Sequence, residues 1–422
     1  LYIRYIFNMS KLEELLKREC PDGVECKALS ELGNFYAGLN GKNKDDFKDG
    51  NAKYITYMNV FSNLSVNTNI NDTVQIGEKE KQNIVKYGDV IFTGSSETIE
   101  ECGMSSVVTN ELNEKLYLNS FCFGFRFNEP EIMLPDFSKY LFRSTELRKK
   151  IIKTASGVTR FNVSKKKMEK ILIPIPPIEV QEEIVGILDT FTKYQDLLNR
   201  ELELRKKQYE YYRDKLLTFG DEVEYKTVGD VGLVTKLAGF EFTKYVTYSN
   251  KGKIIALRGL NVKNGRLNLD EVKYIDESDL TKLTRSKLYI DDMLFTYVGT
   301  IGEVALIDEN DKYYLAPNVA LIRFDKKLIL PKFMIYYFQS KIFFNTQINK
   351  LLQSSSMKNI PMEKIRKFLV PIPPLEEQER IVKILDQFDT LCNDITKGLP
   401  AEIEMRKKQY EYYRDKLLTF KE

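Results

Sequence analysis

The sequence predicts an α+β protein: two small mixed α/β domains separated by two long antiparallel coiled-coil helices, the second half of the chain repeating the first about a pseudo-two-fold axis. Three observations carry that prediction. A fifteen-residue segment occurs twice without change, a proline-rich segment precedes each copy, and apolar residues between them recur with the alternating spacing of four and three that marks a coiled-coil seam.

Arg205 to Phe219 reads RKKQYEYYRDKLLTF, and so does Arg406 to Phe420, 201 positions later. Upstream, Ile173-Pro-Ile-Pro-Pro-Ile-Glu-Val-Gln181 matches Val370-Pro-Ile-Pro-Pro-Leu-Glu-Glu-Gln378 at an offset of 197, so the second copy holds four extra residues between its two matched segments. Fainter echoes link Val24-Glu-Cys-Lys27 with Val223-Glu-Tyr-Lys226, Gly88 to Thr93 with Asp291 to Thr296, and Arg126-Phe127 with Arg323-Phe324. The chain is a tandem duplication, divided as an N-terminal segment (1–19), a variable domain (20–172), a spacer helix (173–220), a second variable domain (221–369) and a second spacer helix (370–422).

Taken in order, the N-terminal segment opens with an apolar run that Arg4 interrupts and that is too short for a signal peptide core. Met9-Ser-Lys-Leu reads like a natural start, so 1–8 are expected to be upstream sequence. Within the variable domains, Tyr54 to Val60, Ile254 to Leu257 and Val304 to Ile307 read as strands between Gly, Asn and Asp clusters, and 136–153 and 332–352 as helices. In each spacer the paired prolines hold the chain extended before a helix whose first turns carry glutamates, as its dipole favours. The first seam runs through Ile184, Leu188, Phe191, Tyr209, Tyr212 and Leu216, the second through Ile381, Leu385, Phe388, Tyr410, Tyr413 and Leu417. Gly398 and Pro400 sit at the four-residue insertion and predict a break there, whereas the first helix should run straight for roughly 60 Å at ~1.5 Å per residue. Pairing inside one chain is favoured over self-association through the helices, because a tethered partner has a high effective concentration.

Composition narrows the chemistry. There is no histidine, which excludes Ser-His-Asp and Cys-His mechanisms and histidine-bearing metal centres. Five scattered cysteines without paired spacing suit reduced thiols in the cytoplasm and give no zinc site. Lys and Arg (64) barely exceed Asp and Glu (61), so any nucleic-acid surface must be local. No phosphate-binding glycine loop with its lysine occurs, and Asp22, Glu25 and Lys27 lie too close together in a Pro-Gly turn for a metal-dependent nuclease. No catalytic residue and no metal ligand is expected. The matched Asp89 and Asp292 are read as turn caps rather than as catalytic carboxylates.

Alternating variable and repeated regions, each repeat opening on Pro174-Ile-Pro-Pro-Ile-Glu-Val-Gln181 or Pro371-Ile-Pro-Pro-Leu-Glu-Glu-Gln378, resemble the DNA specificity subunit of type I restriction-modification systems over nearly the whole chain. The resemblance implies that the variable domains are target recognition domains and the helices conserved spacers. It also implies a non-catalytic subunit that binds double-stranded DNA, two methylation subunits and restriction-translocase subunits, with S-adenosylmethionine, ATP and Mg held on those partners. Two unlike domains imply a bipartite, asymmetric target. The alternative is a coiled-coil scaffold whose domains bind proteins.

Base edges are read by Arg, Lys, Asn, Gln, Ser and Thr on polar loops. In the first domain these are Lys42, Asn43, Lys44, Asn59, Ser95, Ser96, Thr159, Arg160 and Asn162; in the second, Arg258, Asn261, Lys263, Asn264, Arg266, Thr300, Ser355 and Lys358. Arg160, Arg258 and Arg266 lead these expectations. From 160 to 170 five basic residues and one acidic residue give a local charge of +4, suited to phosphate contact.

Overall fold

The computed structural model describes residues 2–237, 239–353 and 359–420. The chain forms two compact units, and they are not consecutive in sequence. The first comprises Leu1–Leu198 and Ile403–Glu422, the second Asn199–Glu402. Both boundaries fall inside helices, one in Ile178–Leu216 and one in Leu399–Leu417. Each unit therefore holds one variable domain, the start of the spacer helix that follows it, and the copy of the fifteen-residue repeat that follows the other domain.

In the first unit a four-stranded antiparallel sheet runs in the order Gly33–Ala37, Cys122–Phe127, Val90–Thr93, Ser105–Val107. In the second unit Gly232–Lys236, Val319–Phe324, Met293–Thr296 and Val304–Leu306 repeat that order. A parallel pair lies beside each sheet, Ala52–Ile55 with Leu116–Leu118 and Ile255–Leu257 with Tyr313–Leu315. An antiparallel ladder closes each domain where it meets its spacer, Cys26–Ala28 on Leu172–Pro174 and Tyr225–Thr227 on Leu369–Pro371. The central strands Val90–Thr93 and Met293–Thr296 are wholly buried, because helices cover one face and the neighbouring parallel pair covers the other.

The spacer glutamine explains the Pro-x-Pro-Pro segment. Gln181 is fully buried; its carbonyl accepts from Leu134 N at 2.8 Å and its amide donates to Ile132 O at 2.9 Å and Pro176 O at 2.8 Å. Gln378 makes the same three bonds to Leu330 N, Leu328 O and Pro373 O at 2.8, 2.9 and 2.8 Å. Its side chain thus satisfies backbone groups that the helix start would otherwise strand away from water.

Within each unit the helices run antiparallel. In the first, Phe191 stacks on Tyr413 and Arg406 lies over Tyr194, so one number falls as the other rises. In the second, Tyr209 and Tyr212 stack on Phe388, while the charges of Lys206 and Arg205 act on the Cys392 thiol against the burial that raises its pKa. The seam is not a bare two-helix coil. Ile184, Leu188, Phe191, Tyr410 and Leu417 enter one core with Phe137, Tyr140 and Leu141, and Tyr413 packs against it. Tyr209, Ile381 and Leu385 do the same with Phe333, Met334 and Phe338, with Leu216 and Phe388 at its margin. Each spacer side chain of this kind contributes about 1.5–3 kcal/mol of burial to its own domain, so most of the residues expected as spacer and subunit contacts are spent inside the units.

Two tethers repeat as well. Tyr140 donates to Asp189 at 2.6 Å and Tyr336 to Asp386. Asp415 accepts from Thr145 N at 2.9 Å, and Asp214, its counterpart in the other repeat, from Lys341 N at 3.0 Å.

Several elements differ from the sequence reading. The strand expected through Val60 ends at Ile55, and Tyr57–Ser62 is a helix because Thr56 caps it, accepting from Asn59 N at 3.2 Å. The helix expected over 136–153 is two, Pro135–Leu141 and Thr145–Ile152, the second capped by Ser144. Likewise 332–352 divides into Pro331–Phe338, Lys341–Phe343, a π turn at Phe344–Ile348 and Asn349–Gln353, with Ser340 capping the second piece. The first spacer helix is unbroken over 39 residues, whereas the second stops at Asn393 and restarts at Leu399 beside Pro400.

Candidate nucleic-acid interface

In the first domain two of the polar segments meet in a small antiparallel sheet. The hairpin Ala155–Ser156 with Phe161–Val163 pairs with Ser95–Ser96, bringing Asn162 opposite Ser95 although 67 positions separate them. Gly157 makes the tip possible: its φ is +151°, and a Cβ there would meet Arg160 O at 2.0 Å. Thr159, Arg160 and Asn162 are exposed on this hairpin, whereas Ser95 and Ser96 are buried. Ser95 is anchored by Tyr57, which donates to its carbonyl at 2.9 Å. Arg160 Nε donates to Ser95 Oγ at 3.1 Å, and its guanidinium lies 5.2 Å from the centroid of the exposed Phe121 ring. Beyond the hairpin, Lys166, Lys167 and Lys170 are exposed and Lys165 covers the Phe123 ring, in keeping with the basic run from 160 to 170.

Other first-domain residues hold loops together. Asn59 is 9% exposed; its amide donates to Asn67 O at 2.8 Å while its carbonyl accepts from Asn67 N at 3.0 Å, so it pins 63–67 rather than facing a base. Lys42 is only 7% exposed and pairs with Glu80 at 2.6 Å, which with hydrogen bonds from Gln82 and Gly77 lowers the Glu80 carboxyl to about 2. Asn43 caps the short turn at Lys44–Phe47, leaving Lys44 exposed beside it.

In the second domain the hairpin Val262–Lys263 with Arg266–Leu267 turns at Asn264 and Gly265, whose φ values of 51° and 80° suit this Asn-Gly pair. It points back toward the helices of its own unit. Arg266 is ion-paired with Asp389 on the second spacer helix, and Asn264 N donates to Glu303 Oε2 at 2.6 Å. Lys263, Asn264, Arg266 and Asp389 share a polar cavity of ~510 Å³ with Lys206, Arg213 and Asn393. Arg258 donates to Glu271 O at 3.2 Å and pairs with the Glu271 carboxylate at 3.5 Å. Asn261 is wholly buried, donating to Asn268 O and Glu271 O, each at 2.9 Å, and accepting from Arg258 N at 3.0 Å.

The expectation of base contact is thus corrected for Asn59, Asn261 and Lys42, whose polar groups are committed inside the domain, and for the buried Ser95 and Ser96, whereas Arg266 is exposed but ion-paired with the spacer helix. Thr300 is exposed in a turn that Thr296 braces through Thr300 O at 2.5 Å. Ser355 and Lys358 lie outside the described residues; the adjoining Asn359 pairs with Val298.

Sequence reasoning missed Phe121, Tyr57 and two half-buried arginines. Arg143 donates to the carbonyls of Ser105, Val60, Phe61 and Asn63, and Arg148 to those of Gly103, Glu100 and Cys102. Burial lowers both to about 10, so they stay charged at neutral pH and hold the 60–63 and 100–105 loops under the exposed hairpin. Asp89 and Asp292 prove structural. Asp89 accepts from Lys86 N and Tyr36 and pairs with Arg126, and Asp292 accepts from Tyr289 N and pairs with Arg323. All five cysteines are free thiols.

A family model of the type I restriction modification DNA specificity domain matches this chain twice, over residues 21–205 and 220–405. A type I restriction enzyme specificity subunit of Haemophilus influenzae is 35% identical over 277 residues, 63% of this chain and 68% of that protein. The EcoR124I/EcoR124II specificity subunit of Escherichia coli is 34% identical over 271 residues, 61% of this chain and 65% of that one. Among solved structures, a chain from work on complex assembly and conformational transition of the type I R-M system shares the fold at a TM-score of 0.67 and 15% identity, covering 94% of this chain and 98% of its own. An HsdS subunit from Thermoanaerobacter tengcongensis gives 0.50 and 16%, covering 94% and 96%. A double match that spans both variable domains and most of both spacers leaves one conclusion: this chain belongs to the type I restriction-modification DNA specificity family.

Proposed function

We propose that this chain gives a type I restriction-modification complex its sequence specificity by binding a bipartite, asymmetric DNA target, one half-site for each variable domain. The observation that carries the reading is that the same helical socket, down to Gln181 and Gln378, holds two domains of one topology whose exposed loops differ. A common socket with unlike loops suits one scaffold reading two unlike half-sites.

The chain acts without chemistry of its own. It docks methylation subunits, two per chain, and restriction-translocase subunits; S-adenosylmethionine, ATP and Mg reside on those partners. Docking uses spacer surface that the domains leave exposed, such as Leu204 and Tyr211 on the first helix and Ile395 beyond the second. Free thiols throughout suit the cytoplasm, where cellular DNA and the partners meet. No helix among the described residues is long and apolar enough to cross a membrane.

The test is co-expression with the cognate methylation subunit in a host lacking adenine methylation, followed by single-molecule sequencing of N6-methyladenine. One gapped motif with two different halves is expected. A stable complex that leaves the genome unmethylated would instead favour the protein-binding scaffold.

A further inference from the structure

Of the three arginines that the sequence singles out for base readout, two are tied to carboxylates, Arg258 to Glu271 and Arg266 to Asp389. Arg160 differs. Among the described residues no carboxylate pairs with it, and the one hydrogen bond to its guanidinium, from Nε to Ser95 Oγ at 3.1 Å, engages the stem side of the group. Both Nη atoms are left for a ligand. The guanidinium is also held over the face of Phe121, 5.2 Å from its centroid, where the ring quadrupole favours a cation without consuming an N–H.

The platform beneath is rigid. Phe121 O accepts from Gly94 N at 2.7 Å, Gly94 O accepts from Val163 N at 2.9 Å, and Phe121 N donates to the Asn119 side chain at 2.9 Å. Tyr57 fixes Ser95 from below. An outward fork on a braced β-hairpin loses little freedom when it meets a ligand, and guanine is the base whose major-groove edge presents two adjacent acceptors, O6 and N7, matched to such a fork. The exposed Lys166, Lys167 and Lys170 further along the same segment can take phosphates, which leaves the hairpin's guanidinium, beside the exposed Glu97, Glu100 and Glu101, the better fit to a base edge.

We propose that Arg160 reads a guanine in the half-site of the first domain, with Ser95 and Phe121 as its positioning residues. The inference rests on the DNA-specificity reading above. It is tested in the complete complex by comparing the methylated motif of the unmodified chain with those of Arg160→Ala, Arg160→Lys and Ser95→Ala. One half of the unmodified motif should contain a G·C pair that Arg160→Ala makes degenerate, preference at that position falling roughly ten- to hundred-fold, while the other half stays strictly read and reports that the protein is folded. Lysine should restore part of the preference as a point charge without a fork, and Ser95→Ala should weaken it at the same position. A motif unchanged in both halves for Arg160→Ala, or a uniform loss of methylation without loss of selectivity, overturns the assignment alone. Absence of any motif for the unmodified chain overturns the functional reading and this inference with it.

Discussion

The first and second units agree where buried helices meet and part company where loops reach solvent. Gln181 and Gln378 make the same three hydrogen bonds, Asp415 and Asp214 cap equivalent backbone groups, and Tyr140 and Tyr336 each reach a spacer aspartate. Yet the first domain projects a hairpin braced on Ser95 and Phe121, while the hairpin of the second is tied to its spacer helix through the Arg266–Asp389 pair. The socket is constrained because each repeat must fit a domain it does not follow in the chain; the loops answer only to their ligand.

The comparison can be broken most decisively by placing the first variable block, 20–172, in both sockets. If the sockets are equivalent, the methylated motif should acquire two copies of one half-site; persistence of two unlike halves would show that the sockets, not the loops, choose the bases. The next largest effect belongs to the buried glutamines. Gln181→Ala and Gln378→Ala each leave one N–H and two carbonyls unpaired, and each should cost about 2–4 kcal/mol, read as loss of hydrogen-exchange protection at Leu134 and Leu330 respectively. Unequal losses would mean that the matched geometry hides unmatched energetics.

A smaller change probes the break in the second spacer helix, which the first spacer helix lacks. Gly398 closes the break in the second helix so tightly that a Cβ would meet Thr390 O at 2.3 Å and Leu391 O at 2.8 Å. Gly398→Ala should therefore destabilise the second unit by roughly 1–3 kcal/mol through overpacking, whereas Gly186→Ala in the first spacer, with nothing within 4 Å of the added atom, should be neutral or mildly stabilising in thermal unfolding.

Smallest are the paired caps. Asp415→Asn and Asp214→Asn should each cost about 0.5–1 kcal/mol. Although burial pushes the Asp415 carboxyl up, hydrogen bonds from Thr145 and the Arg414 guanidinium prevail and hold it below its ordinary value. A depressed folded-state pKa contributes stability above the unfolded-state value of ~3.9 that is lost as pH falls through the folded one. Acid titration should accordingly weaken the contact at Thr145 only below about pH 4, and Asp415→Asn should flatten that dependence.

What could be read from the chain follows the same division. The repeat, the spacer helices and the break at Gly398 were legible because their signals are local: a seam of spaced apolar residues, a proline-bounded start, an insertion out of heptad step. The helix at Tyr57–Ser62 was missed although Thr56 offered a cap, since the aromatic and β-branched residues around it imitate a strand. Site residues were harder still. That Asn261 is buried and that Arg266 meets Asp389, 123 positions away, depends on long-range packing with no local mark. Phe121 gave no signal, because an aromatic at a strand start reads as core until the structure leaves it exposed.

The interleaving of the units also sets an order of events during synthesis. The second unit, Asn199–Glu402, is a continuous stretch and can close as soon as its last residue clears the ribosome. The first must wait for Tyr410, Leu417 and Leu418, which cover Ile184, Leu188 and Phe191. Leu418 follows Leu198, the end of the first part of that unit, by 220 residues, so at ~5–20 residues per second the earlier part waits roughly 10–40 s. For that interval the earlier-made domain exposes an apolar face that its own spacer cannot cover, so the nascent chain is most exposed to aggregation and chaperone capture at its oldest part.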